Sequence, residues 1–249
     1  MKIRFLSSIL LLTFAACLFA APLSAQDFDE SKWGTNSPGV ELRAIEGPRS
    51  HDDGGTVLTY NLAGKGFPPD LKYSLWGWIP GHKPQKAITG VSFDKRGVVV
   101  CSGKPGSCTG QGSDDPVNIK TTAVLGEPKR FAVVSDDGRV AGFAEAVPFP
   151  IQATDKGCKL SVIRQTPLAE MVLVRATGFV PYEMLNVSGR VGGLDAAHSP
   201  TVSPDGMWEA MIGTKAAGQN AGSATIKVAG QRCTVSVTFN WGEGSAKEQ

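Results

Sequence analysis

The chain has 249 residues, with 25 Lys and Arg against 23 Asp and Glu, and it is rich in glycine (30) and proline (16). Charges this nearly balanced, with no basic run or stripe, lack the positive field that nucleic acid or an anionic membrane surface requires, so neither is expected as a partner. The glycine and proline content suits many short strands joined by turns.

The chain opens with Lys2 and Arg4, an apolar run over 5–21, and the small-residue end Leu23-Ser24-Ala25. This is the pattern of a secretory signal peptide over 1–25, with cleavage expected after Ala25 and a mature chain beginning at Gln26. Two other readings stay open. The run is marginally long enough for a retained membrane anchor. The segment Phe14-Ala15-Ala16-Cys17 approaches a lipoprotein cleavage box, although Phe14 fits poorly and the sequence stays apolar after Cys17. With the leader removed, no membrane span is expected and the location is periplasmic or extracellular. Four cysteines then remain, Cys101, Cys108, Cys158 and Cys233, and an even count in an exported chain argues for disulfides. Residues 26–39 are polar and expected to be flexible.

From there the chain reads as one pattern written twice. Aligned on Phe67 and Phe179, residues 62–79 and 174–191 match at Gly66 and Gly178, Pro69 and Pro181, and Gly77 and Gly189. Apolar residues alternate before each phenylalanine (Leu58, Tyr60, Leu62; Val172, Val174) and after it (Tyr73, Leu75, Ile79; Leu185, Val187, Val191). Period-two alternation predicts strands with one buried face, so each half holds a strand, a Gly-Phe-x-Pro turn and a second strand. Hairpin turns are expected at Asp94 to Gly97 and at Asp205-Gly206. A closing hairpin is expected in each half, around Asp136-Asp137-Gly138 and around Gly230-Gln231. No segment past the leader shows a strong amphipathic helix period.

The Gly-Phe-x-Pro turn, the later Asp-Gly hairpin and the closing strand pair resemble the bacterial immunoglobulin-like repeats of exported proteins, including the IPT/TIG group. The resemblance implies an all-β chain of two tandem immunoglobulin-like antiparallel β-sandwich domains, at 40–150 and 152–242; the tail over 243–249 is polar and expected to be disordered. Such modules serve as spacers, adhesion units, carbohydrate-contacting domains and enzyme accessories, so the fold by itself does not select a function. The first half departs from the second by a glycine-rich stretch from Cys101 to Asp115.

Searching for chemistry yields little. His51, His82 and His198 have no second histidine at metal-ligand spacing, and no metal is expected. Gly106-Ser107-Cys108-Thr109-Gly110 has the outline of a nucleophile elbow, but a glycine-rich loop follows it where a helix is needed, and Cys101 stands ready to take the thiol into a disulfide. The acidic pairs Asp52-Asp53, Asp114-Asp115 and Asp136-Asp137 read as solvated turn acids, with calcium the alternative. Asn186 fits a glycosylation acceptor on an outer sheet face. Neither a catalytic motif nor a cofactor site is found. The disulfide pairing expected is Cys101–Cys108 and Cys158–Cys233, the second joining the opening and closing strands of the second half.

The feature that stands out is Trp76 with Trp78. The matching places in the second half hold Ser188 and Arg190, which are polar, while Tyr73, Leu75, Gly77 and Ile79 take the inward positions. Both tryptophans then leave one outer face, with His82 just beyond. Two such rings make an apolar patch for a protein or a stacking shelf for a sugar ring. The alternative is intramolecular cover, by the Cys101–Cys108 excursion or the second half. The leading function is a non-catalytic interaction or scaffold module of the bacterial envelope. Its expected partner is an envelope protein or glycan. A carbohydrate-binding module is the rival, and a hydrolase or enzyme accessory the weaker one.

The processing expectation is checked by intact-mass analysis of the exported protein. A chain beginning at Gln26 without lipid is the expected result, and a diacylated Cys17 would overturn it.

Overall fold

The computed structural model describes residues 33–53, 55–101 and 115–246, and every regular element among them is a β-strand. The first half runs β1 (Glu41–Asp52), β2 (Gly55–Lys65), β3 (Tyr73–Trp78), β4 (Gln85–Phe93), β5 (Val99–Cys101), β6 (Ile119–Thr122), β7 (Lys129–Ser135) and β8 (Ala141–Ala146). The second runs β9 (Ile151–Asp155), β10 (Cys158–Arg164), β11 (Met171–Thr177), β12 (Asn186–Val191), β13 (Leu194–His198), β14 (Trp208–Gly213), β15 (Ala221–Ala229) and β16 (Thr234–Gly242).

These strands form four antiparallel sheets, ordered β1-β2-β6 and β5-β4-β3-β7-β8 in the first half, β14-β11-β10-β9 and β13-β12-β15-β16 in the second. Each pair of sheets encloses its own core. Leu58, Tyr60 and Leu62 of β2 bury with Tyr73 and Leu75 of β3. Val172, Val174 and Ala176 of β11 bury with Ile226 of β15 and Val235, Val237 and Phe239 of β16. The alternation read along the sequence is therefore the alternation of inward and outward side chains. A bridge between Cys158 and Cys233 ties β10 to the start of β16 across the sandwich. With 75 residues between the sulfurs, it restrains the unfolded chain by about 4–5 kcal/mol in the entropy model.

The repeated Gly-Phe turn has a steric cause. Gly66 and Gly178 sit at φ +78° and +80°. A Cβ on Gly66 would lie 2.0 Å from the Gly39 carbonyl oxygen, and one on Gly178 would lie 2.3 Å from that of Gly157. No L side chain fits at that approach, so glycine is required in both halves. The phenylalanine that follows then turns into the core: Phe67 stacks on Phe93 at 4.3 Å between centroids, and Phe179 is buried among second-half residues.

Described residues of the two terminal segments make defined contacts. Within 26–39, the Ser37 amide donates to the Ala141 carbonyl at 2.8 Å. The Ala141 and Phe143 amides in turn donate to Ser37 Oγ at 2.9 Å and Asn36 Oδ1 at 2.7 Å. β8 ends its sheet, and these residues satisfy its outer backbone groups. At the other end, the amide of Gly242, the last residue of β16, donates to Leu168 O at 2.7 Å, and Ser245 beyond it is buried.

Ser245 is buried against Arg164, which is wholly inaccessible. Arg164 donates from Nε to Leu125 O at 2.5 Å, and from Nη1 to Pro167 O at 3.0 Å and Ser245 Oγ at 3.1 Å, while Nη2 bonds Ser245 O. Its own amide donates to Gly126 O at 2.8 Å. Burial pulls its pKa down and the Glu127 charge pushes it back up. Glu127 is itself buried in an ion pair with Lys129. One guanidinium thus joins the first half, the second half and the tail. Arg164→Met should lower stability by about 3 kcal/mol or more, since each buried carbonyl left without a donor costs about 1–3 kcal/mol. Arg164→Lys should recover only part of this, because an ammonium lacks the planar fork. Urea unfolding of the three chains checks it.

Candidate functional site

β3 lies between β4 and β7, and its outward residues are Ser74, Trp76 and Trp78. Cross-strand partners share a face. Trp76 pairs with Lys86 on β4 and Ala132 on β7, and Ala132 pairs with Phe143 on β8. Trp78 pairs with Arg130, and Arg130 with Glu145. The outer face therefore carries a row Lys86, Trp76, Ala132, Phe143, and beside it a row Trp78, Arg130, Glu145.

Both rings leave the outer face, but neither is bare. The Lys86 Nζ lies 5.1 Å from the centre of the Trp76 ring, and the Arg130 guanidinium carbon 4.0 Å from that of Trp78. These are cation–π distances. Arg130 Nε also bonds Glu145 Oε2 at 2.5 Å, and Nη2 reaches Gln165 Oε1 at 3.4 Å. Trp78 Nε1 donates to the His82 carbonyl at 2.6 Å, so His82 enters through its backbone. Trp76 packs on Ala132, Val134 and Ala141 together with Phe143 and Trp33. Trp33 meets Phe143 edge to face at 5.4 Å. Beside them a cleft of about 420 Å³ is lined by Trp33, Phe143, Arg130 and Glu145.

The sequence reading missed Trp33, Phe143, Lys86 and Arg130. Phe143 and Arg130 become neighbours of the tryptophans only through the β3–β7–β8 register, and Trp33 sits in a segment read as flexible. One inward assignment is corrected. Ile79 is 54% exposed, because β3 ends at Trp78 and the chain turns before Ile79 can enter the core. Partial cover of Trp76 comes from Trp33 on the N-terminal segment.

The remaining candidates are dispersed. Asp136 accepts from Ser74 Oγ at 3.0 Å, while Asp137 accepts from Ser135 Oγ at 2.6 Å and from Arg139. The bonds from Ser135 and Arg139 hold the Asp137 carboxyl down at about 2. Both are turn acids that close a hairpin. Asp52 ends β1, far in sequence from either, and Asp53 lies in the turn after it. Asp114 and the Gly106–Gly110 stretch lie outside the described residues. His51 Nδ1 is 3.1 Å from Thr56 Oγ1, and His198 ends the exposed strand β13. Asn186 is exposed at the start of β12. Cys101 is buried and disulfide-bonded, and Cys108 lies outside the described residues. Among the described residues no three His, Cys, Asp or Glu side chains cluster as a metal site, and no helix is long and apolar enough to cross a membrane.

No family model and no curated protein matches the chain. A solved structure of a tetra-tandem repeat in the extending region of a large adhesion protein is similar at 14% identity, with a TM-score of 0.28. The similarity covers 83% of this chain and 50% of that one, so the chain spans half of that structure's length.

The half-buried setting of both rings sets an expectation for their removal. Trp76→Ala with Trp78→Ser should lower stability by about 1–3 kcal/mol, short of the 3–5 kcal/mol typical of a fully buried aromatic. Thermal melts check it, and an unchanged melting temperature would show that the rings add nothing to the fold.

Proposed function

We propose that this chain is a non-catalytic, exported interaction module of the bacterial envelope, built from two immunoglobulin-like sandwiches, and that the outer face of β3, β7 and β8 is its contact surface. The observation that carries the reading is the gathering of Trp33, Trp76, Trp78 and Phe143 on one sheet face, with Lys86 and Arg130 stacked on two of the rings. Aromatic and arginine side chains on a flat face are the groups that anchor protein interfaces. The corresponding face of the second half carries Ser188 and an Arg190–Asp195 ion pair, so the aromatic surface is not a general property of the fold. The Cys158–Cys233 bridge supports export, because such bonds persist in oxidising compartments.

A glycan is the second reading. The cleft beside Trp33 favours it, since an aromatic ring there stands next to the hydrogen-bonding groups of Arg130 and Glu145.

Lys86→Glu separates binding from folding, because Lys86 is exposed and its loss leaves no buried group unpaired. Cross-linking to envelope proteins and a glycan array, run with the parent, Lys86→Glu and Arg190→Ala, test the proposal. Capture of one envelope protein, weakened about tenfold by Lys86→Glu and untouched by Arg190→Ala, is the expected outcome. Lys86-dependent binding to a glycan alone would select the second reading, and a face whose substitution changes nothing would remove both.

A further inference from the structure

The cleft beside Trp33 has a neighbour across the joint. Glu145, on the outer face of β8, walls that cleft and also a second one of about 260 Å³. The second cleft passes Pro150 of the linker and reaches Gln152, Lys159, Ser161 and Arg175 of the second half. The halves are fixed to each other beside it. The Gly126 amide donates to Phe149 O at 2.7 Å, and the Arg164 amide to Gly126 O at 2.8 Å.

The floor of the second cleft is the outer face of β9, β10 and β11. Lys159 and Ser161 alternate along β10 with the core residues Cys158, Leu160 and Val162, so they point outward. Register then sets two polar rows across the strands. One holds Gln152, Ser161, Arg175 and, on β14, Glu209; the other holds Thr154, Lys159 and Thr177. Neighbouring strands are about 4.8 Å apart, so a hydrogen-bonding side chain is offered at each step of about one sugar ring. The backbone groups of β10 and β11 are taken up by strands on both sides. A ligand lying across this face is therefore read by side chains, which suits a hydroxyl-rich chain better than a peptide that adds a strand. The charges lean one way. Arg130 pairs with Glu145 and Arg175 with Glu209, and the exposed Lys159 adds a third cation to these two ion pairs.

We propose that the two clefts form one trough that binds a linear acidic glycan, with a sugar ring against Trp33 and Phe143 in the first half and a carboxylate-bearing unit at Lys159 in the second. This rests on the glycan reading of the cleft beside Trp33, whose ligand it extends to a charged chain of several units. Aromatic faces stack on the apolar side of a sugar ring, and the paired guanidiniums and the Gln, Ser and Thr side chains meet its hydroxyls.

The probes are a hexauronate, the matching diuronate, a neutral hexaose and hexaglutamate, each titrated by calorimetry against the folded full chain. The hexauronate is expected to bind at least about tenfold more tightly than any of the other three. Lys159→Gln should abolish its preference over the neutral hexaose. Ser161→Tyr, which fills the trough without changing its charge, should abolish the advantage of six units over two. Lys159→Gln carries the test if Ser161→Tyr disturbs the circular dichroism. Trp33→Ala should weaken every sugar. Hexauronate binding that needs Trp33 but is no tighter than the diuronate, and indifferent to Lys159 and Ser161, overturns the proposal and leaves the glycan reading of the first cleft standing. A neutral hexaose bound as tightly as the hexauronate does the same. Hexaglutamate bound as tightly overturns the proposal too, since the trough then reads charge alone. No binding of any sugar removes both the proposal and the glycan reading.

Discussion

A buried guanidinium sets the frame on which the rest of the molecule depends. Arg164 lies at the end of β10 and spends its donors on carbonyls of Leu125, Pro167 and Ser245, three places far apart in the sequence or outside any strand. A charge taken out of water is tolerated only when its protons are satisfied, so the surrounding backbone is held to one arrangement. That arrangement reaches the aromatic face. Gln165, next in the chain, lies within reach of Arg130, and Arg130 is the cation stacked on Trp78. Lys129, beside Arg130, is buried with Glu127 at the same junction. The surface proposed to meet a partner is thus built at one end on the joint between the halves.

The two halves share a scaffold and differ in what they expose. Both need a glycine ahead of the phenylalanine, because a carbonyl from just before the neighbouring strand, Gly39 ahead of β1 and Gly157 ahead of β10, approaches closer than any Cβ permits. Both close with a hairpin, β7-β8 and β15-β16. They diverge on the outer face, which is aromatic and cation-stacked in the first half and polar in the second. They diverge again at the sheet edge, where the short strand β5 is added beyond β4 in the first half and β13 and β14 end their sheets in the second. A duplicated sandwich can change either feature without disturbing its core, since outward residues and edge strands contribute least to the buried surface.

The all-β character, the repeated strand–turn–strand unit and the inward residues were legible in the sequence. Alternation with period two is a local property: the direction of Leu58, Tyr60 and Leu62, or of Val172 and Val174, follows from the pleat of a single strand. The outward direction of Trp76 and Trp78 was legible for the same reason, with the polar Ser188 and Arg190 as an internal control. So was the Cys158–Cys233 pair, whose members each share a face with core residues.

What lies beside those residues was decided by the tertiary structure alone. Hydrogen-bond register between β3, β7 and β8 brings Phe143, 67 residues beyond Trp76 by the numbering, into the same row, and no local pattern encodes a pairing at that distance. Trp33 joined the cluster because the free edge of β8 needed backbone partners, and the polar residues before Val40 supplied them. Ser245 was fixed by the unmet donors of Arg164. The exposure of the edge strand β13 is likewise a property of the packed whole, since strand order decides which strand ends a sheet. Sequence determined the direction of each side chain from its own strand; the partners it meets were settled by edges and buried charges that had to be satisfied across the fold.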